Sequence, residues 1–305
     1  MFFHLILTTD CNLTCKYCYE EAVRDIGVDV GASFDYDLPS EISYDVNDLA
    51  RFCSLDPDCS LIFYGGEPLL QIDKIKQIMD RVPAKRFLIQ TNGTLLHELD
   101  ANYIRRLHTI AVSVDGREST TDFFRGAGTF RKVIMNVRHV VKQGFGGELI
   151  ARMTVMEPVD IYEEVRWLLD NDEFSFPSVH WQLNAGFWND FERRDFERWV
   201  EDSYNPGIRR LVRFWVDQMR KGKVLRIYPF LGIAKSLLEG KPSKLRCGAG
   251  WANYAIQTDG RIIPCPSMWG MREFYLGDIK TSEPSLLPEV FVGERCLVCT
   301  DFASE

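Results

Sequence analysis

Six short runs rich in apolar and β-branched residues, FHLILTT, SLIFYGG, RFLIQTN, TIAVSVDG, ELIARMTV and VHWQLN, alternate with amphipathic stretches. The latter are DVNDLARFCSL, QIDKIKQIMDRV, LHELDANYIRRLH, FRKVIMNVRHVVKQG and DIYEEVRWLLDND. A nearly continuous apolar run of this length reads as a strand buried on both faces, and a 3.6-residue apolar period reads as the helix that covers it. Strict alternation over about 185 residues predicts an α/β protein built on a parallel sheet, as an open or closed barrel. The unusual residues close these runs: TTDC, GGEP, QTNG, SVDG and ARMT all end a predicted strand. Parallel barrels place their chemistry at the carboxyl ends of the strands, so these segments are expected to converge on one rim.

Beyond residue 186 the texture changes. NDFERRDFERWVEDSYNPGIRRLVRFWVDQMRKGK is helical, with a break expected near Asn205-Pro206-Gly207 and with aromatics at core spacing. YAIQTDGRIIPC reads as two strands around a Thr258-Asp259-Gly260 turn. The expected division is 1–186 for the strand–helix repeats, 187–240 for a helical connector and 241–305 for a small second domain. A net charge of −8 argues against a nucleic-acid partner, which needs a basic surface. No apolar stretch approaches a membrane span, and the start MFFHLILTTD lacks the basic region of a signal peptide. A cytoplasmic location is expected.

Nine cysteines in a reducing compartment are not a disulfide framework. Cys53 and Cys59 stand apart and read as small buried residues. The other seven fall into two groups: Cys11, Cys15 and Cys18, then Cys247, Cys265, Cys296 and Cys299. A structural zinc takes four ligands, usually as two separated pairs, which three thiols on one tight loop fit poorly. Three thiolates on an iron–sulfur cubane leave one iron without a protein ligand, and an open position is what a catalytic metal needs.

Cys-x3-Cys-x2-Cys with Tyr17 before its third cysteine resembles the signature of the radical S-adenosylmethionine (SAM) superfamily, and YGGEPLL resembles its Gly-Gly-Glu-Pro motif. QTNGTLL and SVDGRESTTDFFRG extend the likeness to the branch that modifies peptides and proteins, including anaerobic sulfatase-maturating enzymes and archaeal peptide-modifying enzymes. The resemblance implies a partial (β/α)6 TIM-type barrel with a [4Fe–4S] cluster on Cys11, Cys15 and Cys18, whose open iron SAM chelates. It implies that Gly65 and Gly66 let the backbone approach the ligand, and that the Glu67 region accepts from the SAM ammonium. Ser113 and Asp115 are implied to meet ribose or carboxylate, with Arg125 and Arg152 as guanidinium partners of the carboxylate. Asn92 joins these cofactor contacts, and Tyr17 and Leu183 are implied to pack on adenine.

Four thiols in two pairs suit a tetrahedral zinc or every corner of a second cubane, and spacing alone does not choose. Beside the first group, Cys247-x12-Gly260-x4-Cys265 followed by Cys296-Leu-Val-Cys299 resembles the auxiliary-cluster domain called SPASM, or its shortened form, twitch. The chain stops at CTDFASE without the later cysteines of a full SPASM domain, so one auxiliary [4Fe–4S] cluster in a small twitch/SPASM-like α+β domain is expected. Sulfatase maturases carry an Asp after the cysteine that closes Gly-x4-Cys, whereas Pro266 stands here. The catalytic acid or base is therefore unassigned. Asp259, Glu157 and the carboxylates of Tyr162-Glu163-Glu164 are candidates that equally suit solvated surface charges.

The resemblance implies a radical SAM oxidoreductase. It cleaves SAM reductively and takes hydrogen from a peptide or protein side chain, ending in dehydrogenation or in a thioether or carbon–carbon crosslink. The implied partners are that substrate and a low-potential donor such as ferredoxin or flavodoxin, with neither nucleic acid nor membrane. Because the first strand begins at residue 2, peptide recognition is expected from a separate leader-binding protein. The rival readings are a radical dehydrogenase of a small molecule such as an amino sugar, and a non-catalytic iron–sulfur or zinc protein. The Gly-Gly-Glu-Pro motif argues against the last.

Overall fold

A computed structural model describes residues 1–18, 33–184, 194–240 and 245–290. All six expected strands form: β1 (Phe2–Ile6), β2 (Ser60–Tyr64), β3 (Arg86–Thr91), β4 (Leu107–Ser113), β5 (Glu148–Val155) and β6 (Ser178–Leu183). They pair in parallel and in chain order. A two-residue β7 (Arg226–Ile227) extends the sheet beyond β6. At the other edge β8 (Asn253–Ile256) lies parallel to β1, followed by antiparallel β9 (Arg261–Ile263) and β10 (Gly277–Asp278). The order β10-β9-β8-β1-β2-β3-β4-β5-β6-β7 leaves β10 and β7 as unjoined edges, so the sheet is a partial barrel.

One face is closed by helices. In helix Val46–Ser54, Asp45 accepts from the Asn47 amide at 2.9 Å as an N-cap, and Val46, Leu49, Phe52 and Cys53 point inward. Helices Ile72–Arg81, Thr129–Lys142 and Ile161–Leu169 add Ile75, Ile78, Val133, Val137, Val165 and Leu168 to a core with Leu5, Leu61, Phe63, Ile89, Val112, Ala151 and Met153 of the strands. Cys53 and Cys59 are buried and free. The other face is not covered in the same way. Alternate residues Tyr64, Gln90, Ser113, Arg152 and His180 are only half-buried. The expectation of strands buried on both faces is thus corrected. Polar side chains at every second position keep the inner face open to water.

The C-terminal hairpin forms as read, but β8 adds itself to β1 instead of standing apart. Elements that went unread include β7, β10 and helix Glu118–Arg125 within SVDGRESTTDFFRG. The break at Asn205-Pro206-Gly207 is also corrected. A π turn at Val200–Tyr204 leads straight into helix Asn205–Arg220, with right-handed helical dihedrals at Tyr204 and Asn205. Asn205 N bonds back to Val200 O, so Pro206 falls in a first turn where no N–H is required of it. Gly207 sits where this helix crosses helix Ile161–Leu169; a Cβ there would lie 2.8 Å from Ile161 Cγ2. Gly232, exposed in helix Tyr228–Glu239, has nothing within 4 Å of such a Cβ. In urea denaturation, Gly207→Val should lower stability by about 1–3 kcal/mol, and Gly232→Ala should raise it by about 0.5–1 kcal/mol.

Candidate active site

The cysteine loop leaves β1 and is fastened to neighbouring strand ends through its backbone. Leu7 N donates to Tyr64 O at 2.9 Å, Gly66 N to Thr8 O at 2.9 Å, Glu67 N to Asp10 O at 2.8 Å and Lys16 N to Phe124 O at 2.9 Å. Gly65 has φ of +137°, and a Cβ on it would fall 2.2 Å from Thr8 O; one on Gly66 would fall 2.3 Å from Asp10 O. These glycines make room for the loop's own backbone.

Glu67 is fully buried. Its Oε1 accepts from Leu69 N at 3.0 Å and Thr91 Oγ1 at 2.7 Å, and its Oε2 accepts from Asn92 N at 2.7 Å. Burial pushes its carboxyl up to about 7, against the pull of those three donors. The carboxylate joins the end of β2 to the end of β3. Asn92 Oδ1 accepts from Thr94 N at 2.9 Å and Thr94 Oγ1 at 2.7 Å. Its Nδ2 donates to Asn12 Oδ1 at 2.7 Å and to Cys11 Sγ at 3.8 Å.

Asp115, fully enclosed, accepts from Arg125 Nε at 2.8 Å, Arg125 Nη2 at 3.0 Å, Tyr17 OH at 2.5 Å and Thr154 N at 2.9 Å. The Arg125 guanidinium also lies 5.4 Å from the Tyr17 ring centre, and that ring packs on Phe124. Cys15 is pushed up by burial while Arg125 beside it pulls the other way. Asp115, Arg125 and Tyr17 therefore bind one another in a buried knot that fixes the cysteine loop to β4. Leu183 packs against the main core.

Ser113 and Arg152 stay on the inner face, paired in register, with His180 the next neighbour across β6. Arg152 Nη1 meets His180 Nδ1 at 2.8 Å and its Nη2 donates to Gln182 Oε1 at 2.6 Å. His4 Nδ1 meets Asn253 Oδ1 at 2.9 Å. Both imidazoles are lowered to about 4, first by burial and further by Arg152. His4, His180 and Gln182 were not foreseen, although a polar residue at an inward position of an apolar strand is a readable signal.

The candidate acid–base carboxylates are engaged elsewhere. Glu157 holds Arg194 at 2.7 and 2.8 Å, Glu163 pairs with Arg210 at 3.0 Å, Glu164 accepts from Arg117 N at 2.7 Å, and Asp259 pairs with Arg261 at 2.6 Å. Cys247 and Cys265 form no disulfide among the described residues. They flank the β8–β9 hairpin at the end where Asn253 pairs with Phe2, the amino end of β1, whereas Cys11, Cys15 and Cys18 follow its carboxyl end. Cys296 and Cys299 lie outside the described residues.

Cys11, Cys15 and Cys18 likewise form no disulfide among the described residues, and they are partly accessible and held on one loop. Among the described residues no three His, Cys, Asp or Glu side chains close around a single ion. A cubane takes each thiolate at a separate iron corner, so a donor set of thiols alone, spaced along a loop, fits it. Residues 5–170 match the Radical SAM superfamily. The chain belongs to that family. The family's cofactors are a [4Fe–4S] cluster and SAM. The cysteine-type anaerobic sulfatase-maturating enzyme of Clostridium perfringens is 23% identical over 291 residues, covering 90% of this chain and 75% of that protein. The solved structure "Native anSMEcpe with bound AdoMet" superposes with a TM-score of 0.68 at 20% identity, over 93% of this chain and 79% of that one. Streptococcus suis SuiB bound to precursor peptide SuiA gives 0.61 at 14% identity, over 93% and 63%. Among the described residues no helix is long and apolar enough to cross a membrane.

Asp115→Ala should cost about 3–5 kcal/mol by leaving Arg125 buried without its partner, and Asp115→Leu combined with Arg125→Met should recover most of it in chemical denaturation. His180 has a folded pKa below its unfolded value, so its stabilising contribution is complete above about pH 6.5 and is lost as pH falls toward 4. Relative to His180→Gln, the parent protein should therefore lose about 2–3 kcal/mol between those pH values.

Proposed function

We propose that this radical SAM protein is an oxidoreductase that modifies a peptide or protein side chain, with its SAM-binding cluster on Cys11, Cys15 and Cys18. The observation that carries the reading is a three-thiol loop pinned at the rim of a partial barrel whose inner face is polar and half-open. When bound, the cluster and SAM supply a 5′-deoxyadenosyl radical that takes hydrogen from the substrate. The chain's own residues supply position. The Glu67 and Asp115–Arg125–Tyr17 knots hold the loop, Ser113 and Arg152 remain for ribose and carboxylate contacts, and the inner face around His4 and His180 receives the substrate side chain. Cys247, Cys265, Cys296 and Cys299 would hold one auxiliary [4Fe–4S] cluster in a twitch-like domain. Its two described ligands, Cys247 and Cys265, lie toward the amino end of β1, roughly 15 Å along that strand from the cysteine loop, which suits an acceptor for the substrate electron.

Two solved relatives bind peptides by name, the anSMEcpe structure with Cp18Cys peptide and SuiB with SuiA, which supports a peptide over a small molecule. The partners would be that peptide, a leader-binding protein and a ferredoxin or flavodoxin, in the cytoplasm. Reconstituted enzyme offered synthetic peptides and free amino sugars should remove two hydrogens from a peptide; turnover of the sugars alone would overturn the substrate class. Anaerobic reconstitution should load about eight irons per chain, falling to about four in Cys247→Ala. Zinc in place of the lost iron would contradict the auxiliary cluster.

A further inference from the structure

Resting on the assignment of the cluster to Cys11, Cys15 and Cys18, we infer that Asn92 tunes this cluster's reduction potential through an N–H···S hydrogen bond to Cys11. The orientation of its amide is fixed on every side. Asn92 Oδ1 takes two donors from Thr94, the backbone N at 2.9 Å and the hydroxyl at 2.7 Å. An oxygen must therefore stand on that side, and the NH2 group faces the cysteine loop. One of its two protons goes to Asn12 Oδ1 at 2.7 Å, which leaves the other for Cys11 Sγ at 3.8 Å. Asn12 is itself held through Nδ2 to Thr94 Oγ1 at 2.9 Å, and the Asn92 backbone through N to Glu67 Oε2 at 2.7 Å. The donor is thus aimed by five bonds among the chain's own groups. Such pre-set orientation is what an outer-shell ligand partner requires.

The consequence follows from charge. One-electron reduction adds negative charge to the cluster, part of it on the cysteine sulfurs. A fixed donor stabilises that state more than the oxidised one and raises the potential. Asn92 is on this account a positioning and tuning residue rather than a SAM contact.

The test is an EPR-monitored redox titration of reconstituted holoenzyme, reading the signal that SAM perturbs. Asn92→Ala should shift the oxidised-to-reduced ratio toward oxidised by up to about tenfold at a given potential, a fall of up to about 59 mV for one electron. Asn92→Asp, which keeps the shape and the acceptor for Thr94 but exchanges the donor for a carboxylate oxygen, should fall further. A fully loaded Asn92→Ala cluster at the parent potential would overturn the inference. Should the variants fail to load, ENDOR on the parent protein with 15N-labelled asparagine decides. Coupling of that nitrogen to the SAM-perturbed signal supports the bond, and its absence refutes it. Failure of the parent itself to load about four irons at this site would instead refute the cluster assignment.

Discussion

Two backbone hydrogen bonds, Gly66 N to Thr8 O and Glu67 N to Asp10 O, hold the candidate site together. They lay the turn after β2 against the loop after β1 so closely that no Cβ fits at either glycine. A loop bearing three thiols has few apolar side chains of its own to anchor it, chiefly Tyr17 against Phe124. Its shape must come from the neighbouring strand end, and backbone-to-backbone pairing at contact distance is what only glycine permits. The apolar core beneath, continuous from Leu5 to Val179, supplies the stability against which this polar rim is assembled.

Around that contact the rim uses buried charge sparingly and satisfies it completely. Glu67 and Asp115 are fully buried, and each carboxylate takes at least three donors. An unpaired charge in either place would be strongly destabilising. Paired, the two knots join three strand ends to the cysteine loop, from β2 through β3 on one side and from β4 on the other. On the inner face Ser113, Arg152 and His180 sit in register on adjacent strands, with Arg152 bonded to His180 and Gln182.

Much of this was legible in the residues. Six strand runs and the cysteine spacing set the architecture and the cofactor, because apolar period and ligand count are local properties of sequence. What was not legible was which partner a polar side chain would choose. Arg125, ten residues beyond Asp115, read as a guanidinium for the SAM carboxylate, and its pairing with the chain's own Asp115 carried no local signal. Gly65 and Gly66 read as a cradle, and their close approach to the backbone of Thr8 and Asp10 was not foreseen. Pro206 read as a break because the π turn that accommodates it leaves no propensity signal. His180 escaped notice because its environment depends on Arg152 of another strand.

The central claim is that the three thiols hold a cluster open to SAM, and its most direct test is product analysis after anaerobic reconstitution with SAM and dithionite. The parent protein should release 5′-deoxyadenosine, and Cys15→Ala should release none while retaining its fold by circular dichroism. Equal yields from the two proteins, or no 5′-deoxyadenosine from a fully iron-loaded parent, would contradict the account.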